Sequence, residues 1–284
     1  NTPLYMLIIA SLMNVGLDLL FVLVFRMGVA GAAVATVISQ LVSAVLCLAY
    51  LVRFRRQINI DSLPRRPERR MIRSIIKTGL PAAMQSCFIS LGGMSVQGLI
   101  NSFGTETMAA YTASTKIDSL TIQIIVSIAV SLSVFSGQNM GAGNIKRIHS
   151  GLRQTLCIML PVCIMLAGLL LIFRRNVISL LLDPQSDAAA IEIGCKYLSV
   201  IGIGYIIAGI MQSYQNLLRG VGDVNVCVAA GMAELSVRVV ASYIFVNFWG
   251  IDGVWYAIPF SWGCGCIIPV VRYYSGKWKN KRLI

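Results

Sequence analysis

Charge is what this sequence has least of. Only 12% of its 284 residues are Asp, Glu, Lys or Arg, against 57% hydrophobic; a soluble domain carries about twice that charged share. Mean hydropathy is +0.77. The balance excludes a soluble fold, and with it a soluble enzyme. Histidine occurs once, as His149 in a short basic loop, so no imidazole cluster is on hand for zinc. The eight cysteines, Cys47, Cys87, Cys157, Cys163, Cys195, Cys227, Cys264 and Cys266, all fall inside apolar runs. There they act as small hydrophobes, not disulfides or ligands. No Gly-rich phosphate cradle follows a strand, and no Ser/His/Asp or Cys/His set converges. That argues against an ATP-driven pump and a membrane hydrolase, and no cofactor is expected beyond an ion gradient. The chain opens Asn1-Thr2-Pro3 with no Met, charged leader or cleavage site. The expectation is a truncated start, not a signal peptide.

What is present is apolar length. A membrane span needs about 20 predominantly apolar residues, and eight segments reach it: 4–25, 29–52, 79–103, 107–135, 151–173, 188–217, 225–248 and 251–273. The fold expected is all-α, a polytopic membrane protein of about eight transmembrane helices. The net charge of +13 would suggest nucleic acid on a soluble protein. Its placement says otherwise. Nine basic residues, Arg53, Arg55, Arg56, Arg65, Arg66, Arg69, Arg70, Arg73 and Lys77, crowd one loop with no aromatics interleaved to stack bases. With the first helix starting in the cytoplasm, loops on that side hold 18 Lys and Arg against 3 outside, Arg26, Arg174 and Arg175. Both ends are therefore expected inside, in the plasma membrane, without a nucleic-acid partner. Residues 174–187 suggest a short outer interfacial helix over Ile178–Leu182.

The domains expected are residues 1–53, the last two helices of a first lobe; 54–78, a cytoplasmic linker rich in Pro and Arg; 79–274, a six-helix second lobe; and 275–284, a basic tail. An internal repeat supports two lobes. At an offset of 222, Gly28, Gly31, Ala35 and Ser39 meet Gly250, Gly253, Ala257 and Ser261, and both copies enter from the same side. That is a parallel repeat, a known transporter plan, and it predicts about four further helices upstream in a 6+6 arrangement.

Ionisable groups inside spans are expensive and so are functional candidates. Asn14 and Asp18 are four apart, on one helix face. Thr36 and Asp18 each lie nine residues from Met27 in the turn, so both sit roughly 13 Å below it. An amide, a carboxylate and a hydroxyl at one depth suit a proton or a monovalent sodium ion; no other metal is expected. The bland alternative is a hydrogen-bonded hairpin. The same offset puts Ser236, Val240 and Ile258 at these positions, so the second lobe would hold no copy. Glu234 and Arg238, also four apart, are expected to neutralise each other. Further candidates to line a substrate cavity are Gln85, Gln97, Asn101, Lys116, Asp118 and Gln212, some of which must serve as helix–helix glue.

Five stretches then carry a resemblance: MGVAGAAVATVISQ (27–40), TGLPAAMQS (78–86), AAYTASTKIDS (109–119), GQNMGAG (137–143) and LLRGVGD (217–223). Together they resemble the multidrug and toxic compound extrusion (MATE) family, over its fifth to twelfth helices, and GLPAAMQS is closest to its DinF-like branch. The resemblance implies two six-helix lobes that alternate between inward- and outward-facing states, exporting cationic drugs in exchange for protons or sodium ions. It also implies a first-lobe cation site to which Asn14, Asp18 and Thr36 correspond in type and spacing. That site uses a further Asp on the family's first helix, which this chain lacks, so the chain alone is not expected to transport. NorM-like members carry an acid where this sequence has Gln85. The alternatives are a lipid-linked sugar flippase of the same superfamily, for which only Lys116, Lys196 and Arg238 could line a cavity, and a membrane binding protein that does not transport.

Overall fold

A computed structural model describes residues 2–54 and 69–280. Among the described residues there are eight α-helices and no strand, as the run lengths predict. Seven of the helices are long and apolar enough to cross a membrane. The chain divides into two compact units, residues 1–68 and 69–284.

The first unit is a helical hairpin. Helix α1 (Thr2–Leu19) passes without a break into a π-helical turn, Leu20–Val24, and α2 (Gly28–Arg53) runs back. In the π turn the Phe25 amide donates to the Leu20 carbonyl (3.0 Å) and the Met27 amide to that of Phe21 (2.9 Å). Such turns hold one residue more than an α turn and frequently mark functional sites. Arg26 then takes a left-handed conformation, φ 52°, and Gly28 follows at φ 57°. The buried strip of α2 is Gly31, Ala35 and Ser39, four apart.

The second unit is a six-helix bundle of α3 (Arg69–Asn101), α4 (Thr105–Gly141), α5 (Ile145–Ile178), α6 (Ala188–Gly220), α7 (Val224–Trp249) and α8 (Ile251–Tyr274), closed by a 3₁₀ turn, Lys277–Asn280. Helix α6 packs on α4, α5 and α8 and is the buried centre. Lipid tails are as apolar as leucine, so burial alone does not hold such helices together; close packing does. A Cβ on Gly204 would lie 2.9 Å from Pro259 Cβ, and one on Gly209 would lie 2.7 Å from Cys163 Sγ. Around this centre Leu198, Ile201, Tyr205 and Trp255 are fully buried, while Leu120 and Ile172 face outward, as a lipid-facing shell requires.

Two segments differ from the sequence expectation. Helix α3 starts at Arg69, so the basic residues up to Lys77 lie on helix and not in a loop; much of the predicted linker, residues 55–68, lies outside the described residues. No separate interfacial helix forms over Ile178–Leu182 either. Helix α5 continues to Ile178, whose side chain is fully buried against the Gly194 position of α6. Burying that isoleucine fixes the end of α5, and residues 179–187 follow as turns.

Candidate functional site

In the hairpin, α1 turns the Asn14 amide and the Asp18 carboxylate inward one helical turn apart. Asn14 Nδ2 and Asp18 Oδ1 are both buried, and neither has a hydrogen-bond partner. A carboxylate oxygen left unpaired in a membrane span is costly. Asp18 stands two residues before the π turn. Thr36 is not drawn in with them. It is exposed, and its hydroxyl donates to the Ala32 carbonyl of its own helix (2.9 Å). The equal depth computed for Thr36 and Asp18 uses helix rise alone; Thr36 lies about 100° around α2 from buried Ala35. The hydroxyl on the buried strip is that of Ser39, bonded to Ala35 O (2.7 Å).

The repeat also has a different register from the one the sequence offset implies. Gly28 and Gly250 adopt the same left-handed φ, 57° and 58°, and the buried strip of α2, Gly31, Ala35 and Ser39, recurs in α8 as Gly253, Ala257 and Ser261. Across the turn, however, a Cβ on Gly31 would meet Phe21, whereas one on Gly253 would meet the backbone of Phe245 and Val246. From 21 to 245 is 224, not 222. The π turn and left-handed Arg26 take up the two extra residues. By this contact, Asn14 corresponds to Arg238 and Asp18 to Ser242, in place of Ser236 and Val240. Ser242 is buried, and its hydroxyl, like Asp18 Oδ1, has no partner. The second unit thus keeps the polar face but not the carboxylate.

On that face of α7, Arg238 Nη2 donates to Glu234 Oε1 (2.5 Å) and Arg238 Nε to Ser261 Oγ on α8 (3.2 Å). The pair is self-neutralised. Asp118, on α4, accepts hydrogen bonds from Tyr205 (2.7 Å) and Tyr197 (3.5 Å) of α6. Tyr197 in turn packs edge-on against Trp255 and Tyr111, and those two rings are stacked. Sequence reasoning named Asp118 but missed both phenols. The available signal was Tyr205 in mid-span, since a buried tyrosine needs an acceptor.

The remaining candidates are dispersed. Lys116 is exposed beside Leu181 and Leu182. Gln97 donates to Asn101 (3.1 Å), and Gln212 accepts from Asn216 (3.2 Å), so both act within their own helices. Gln85 is buried and ties three helices at one end of the bundle: its amide donates to Cys227 O (3.0 Å) on α7 and its oxygen accepts from Arg219 (3.0 Å) at the end of α6. Beside it, Arg272 Nε donates to Asp223 Oδ2 (2.6 Å). The RGVGD stretch therefore serves as a clamp among α3, α6, α7 and α8. No group of three His, Cys, Asp or Glu residues could hold a metal ion among the described residues.

Long apolar helices, lipid-type packing and sparse, mostly paired intramembrane charge define a multi-pass helical membrane protein. The family model described as MatE matches residues 81–244, more than half of the chain, and the chain belongs to that family. It is 27% identical, over its whole length, to the "Probable multidrug resistance protein YpnP" of Bacillus subtilis, and covers 63% of that protein. It is 22% identical over its whole length to the "Probable multidrug resistance protein NorM" of Thermotoga maritima, covering 62% of it. Among solved structures, a MOP superfamily transporter from Pyrococcus furiosus superposes with a TM-score of 0.86 at 21% identity, over 96% of this chain and 62% of that one. The chain thus spans somewhat less than two thirds of the length of these relatives.

Proposed function

We propose that the whole protein is a secondary antiporter that exports amphipathic, cationic drugs or toxic compounds in exchange for protons or sodium ions by alternating access. We assign the coupling ion to Asp18, with Asn14 beside it and Thr36 a ligand that must turn inward to join them. The observation that carries this is the buried, unpartnered Asp18 Oδ1 on α1. The family and the multidrug-resistance relatives support the export reading. Coupling requires that the ion bind the two conformations with different affinity, since equal affinity shifts nothing. A carboxylate next to a π turn is suited to that, because sliding the extra residue along the helix rotates the face that carries it. The localisation that follows is the plasma membrane, with both ends of this chain cytoplasmic, as the distribution of Lys and Arg supports.

A flippase for lipid-linked sugars would need free cations lining a cavity. Lys196 is paired with Asp252 (3.5 Å) and Arg238 with Glu234, which leaves exposed Lys116 alone of the three candidates without an ion pair among the described residues and disfavours that reading. The test is Asp18→Asn in the full-length protein, reconstituted in proteoliposomes with an imposed proton or sodium gradient and a fluorescent organic cation inside. Gradient-driven efflux is expected to vanish while the thermal unfolding midpoint holds. Undiminished efflux by that variant would sink the assignment.

A further inference from the structure

One recess in the second unit takes no part in this reading. It measures about 500 Å³ and opens where the start of α5, the end of α6, the end of α8 and the 3₁₀ turn meet. Its rim is basic, with Arg153 from α5 and Lys279 from the tail, beside His149. Its wall is the apolar run Leu152, Leu156, Cys157 and Leu160 along α5, and Tyr214 and Tyr274 face it with their hydroxyls 3.5 Å apart. Among the described residues, no acidic one lines it.

The cations at this rim differ from others at the same end. Arg219 is bonded to Gln85 and Arg272 to Asp223, whereas among the described residues neither Arg153 nor Lys279 has a carboxylate partner. Lys279 is nonetheless held in place. Gly276, at φ 69°, turns the chain back, and the fully buried Trp278 docks its ring flat on Tyr273, donating through its indole N–H to Tyr273 O (2.9 Å). His149 packs edge-on against both rings and hydrogen-bonds the Tyr273 hydroxyl. The fold thus places two cations without a carboxylate partner among the described residues on the lining of an apolar trough, the Lys279 ammonium 5.9 Å from the centroid of the Trp278 ring.

We infer that this recess binds one anionic phospholipid, its phosphate between Arg153 and Lys279 and one acyl chain along the leucines of α5. The length fits. His149 to Leu160 is eleven residues, about 16 Å of helix, close to the depth of one leaflet's hydrocarbon, about 15 Å. The level fits as well, since tyrosines and basic side chains at span ends mark the interface, and basic pockets between helices on the positive side take acidic lipid head groups. A neutral lipid would leave two cations uncompensated, and a free phosphate would leave the apolar wall unused.

Native mass spectrometry of the delipidated full-length protein tests this with dioleoyl phosphatidylglycerol, dioleoyl phosphatidylcholine and, as the head group alone, glycerol 1-phosphate. The expected result is one retained phosphatidylglycerol, preferred over phosphatidylcholine by about thirty-fold, from roughly a fivefold gain per cation. Arg153→Gln with Lys279→Gln should abolish the preference, and Arg153→Lys with Lys279→Arg should keep most of it. Both sites are exposed, so a matching unfolding midpoint checks the fold. Leu156→Asn should weaken lipid retention without changing head-group preference. Equal retention of phosphatidylglycerol by the double Gln variant, or binding of glycerol 1-phosphate as tight as that of the lipid, overturns the inference. Because the readout is binding and not flux, its failure is independent of the fate of Asp18.

Discussion

The two hairpins α1–α2 and α7–α8 are built alike and charged differently. Both turn through a glycine at φ near 57°, both bury a Gly-Ala-Ser strip, and both press the strip's glycine against the incoming helix. On the incoming helix the corresponding faces diverge. One carries Ala10, Asn14 and Asp18; the other carries Glu234, Arg238 and Ser242. The second closes its charges on each other, while the first leaves a carboxylate oxygen bare. A scaffold that tolerates either arrangement is not what requires an acid at Asp18; under the proposed function, ion binding is.

The sharpest way to break that comparison is to remove one acid from each face and measure stability. Glu234→Gln leaves a part-buried Arg238, 21% exposed, without its counter-charge; cutting one partner from a fully buried pair costs about 3–5 kcal/mol, and partial access to water brings the expected loss to about 2 kcal/mol. Asp18→Asn loses no protein partner and should leave the unfolding free energy unchanged or raised. Equilibrium unfolding of the full-length variants in mixed micelles reads both. If the two substitutions cost the same, Asp18 is a structural residue and the contrast collapses.

Much of this architecture is legible in the sequence because the bilayer imposes it. Eight apolar runs of sufficient length gave eight helices, and the turn glycines and small-residue strip of the repeat kept their matching conformations. What was hidden had no local signature. Leu20–Val24 is uniformly apolar, with no Gly, Pro or polar residue to announce a π turn, and the two-residue slip that follows reassigned the partners of Asn14 and Asp18. Thr36 matches Asp18 in depth, which helix rise determines, but not in azimuth, which only the buried strip reveals. Asp118 meets tyrosines 79 and 87 residues away, a pairing set by the docking of α4 on α6.

The shared glycines offer a smaller contrast. A Cβ at position 253 would sit 2.4 Å from the carbonyl carbon and oxygen of Phe245, so backbone must move; at 31 the tightest contact is 2.9 Å, to the Cβ of Met27. Gly253→Ala is expected to cost about 2–3 kcal/mol, within the range for overpacking, and Gly31→Ala about 1 kcal/mol. A larger penalty at Gly31 would mean that the π turn is rigid and does not yield, which would remove it as an element able to rotate Asp18.

The smallest effect separates the two serines. Ser39 and Ser261 both donate to a carbonyl of their own helix, at 2.7 Å and 2.6 Å, but only Ser261 also receives Arg238. Ser39→Ala forfeits a back-bond that contributes little and should shift stability by about 0.5 kcal/mol or less. Ser261→Ala strips one hydrogen bond from a part-buried guanidinium, and bonds to charged groups contribute about 1.5–3 kcal/mol; partial access of Arg238 to water brings the expected loss to about 1 kcal/mol. Combining Ser261→Ala with Glu234→Gln and Arg238→Gln should erase the serine's share, because the hydroxyl then has no charge to serve. A serine penalty that persists in the triple variant would show that Ser261 packs the hairpin on its own account, just as Ser39 does, and the two hairpins would then differ in their acids alone.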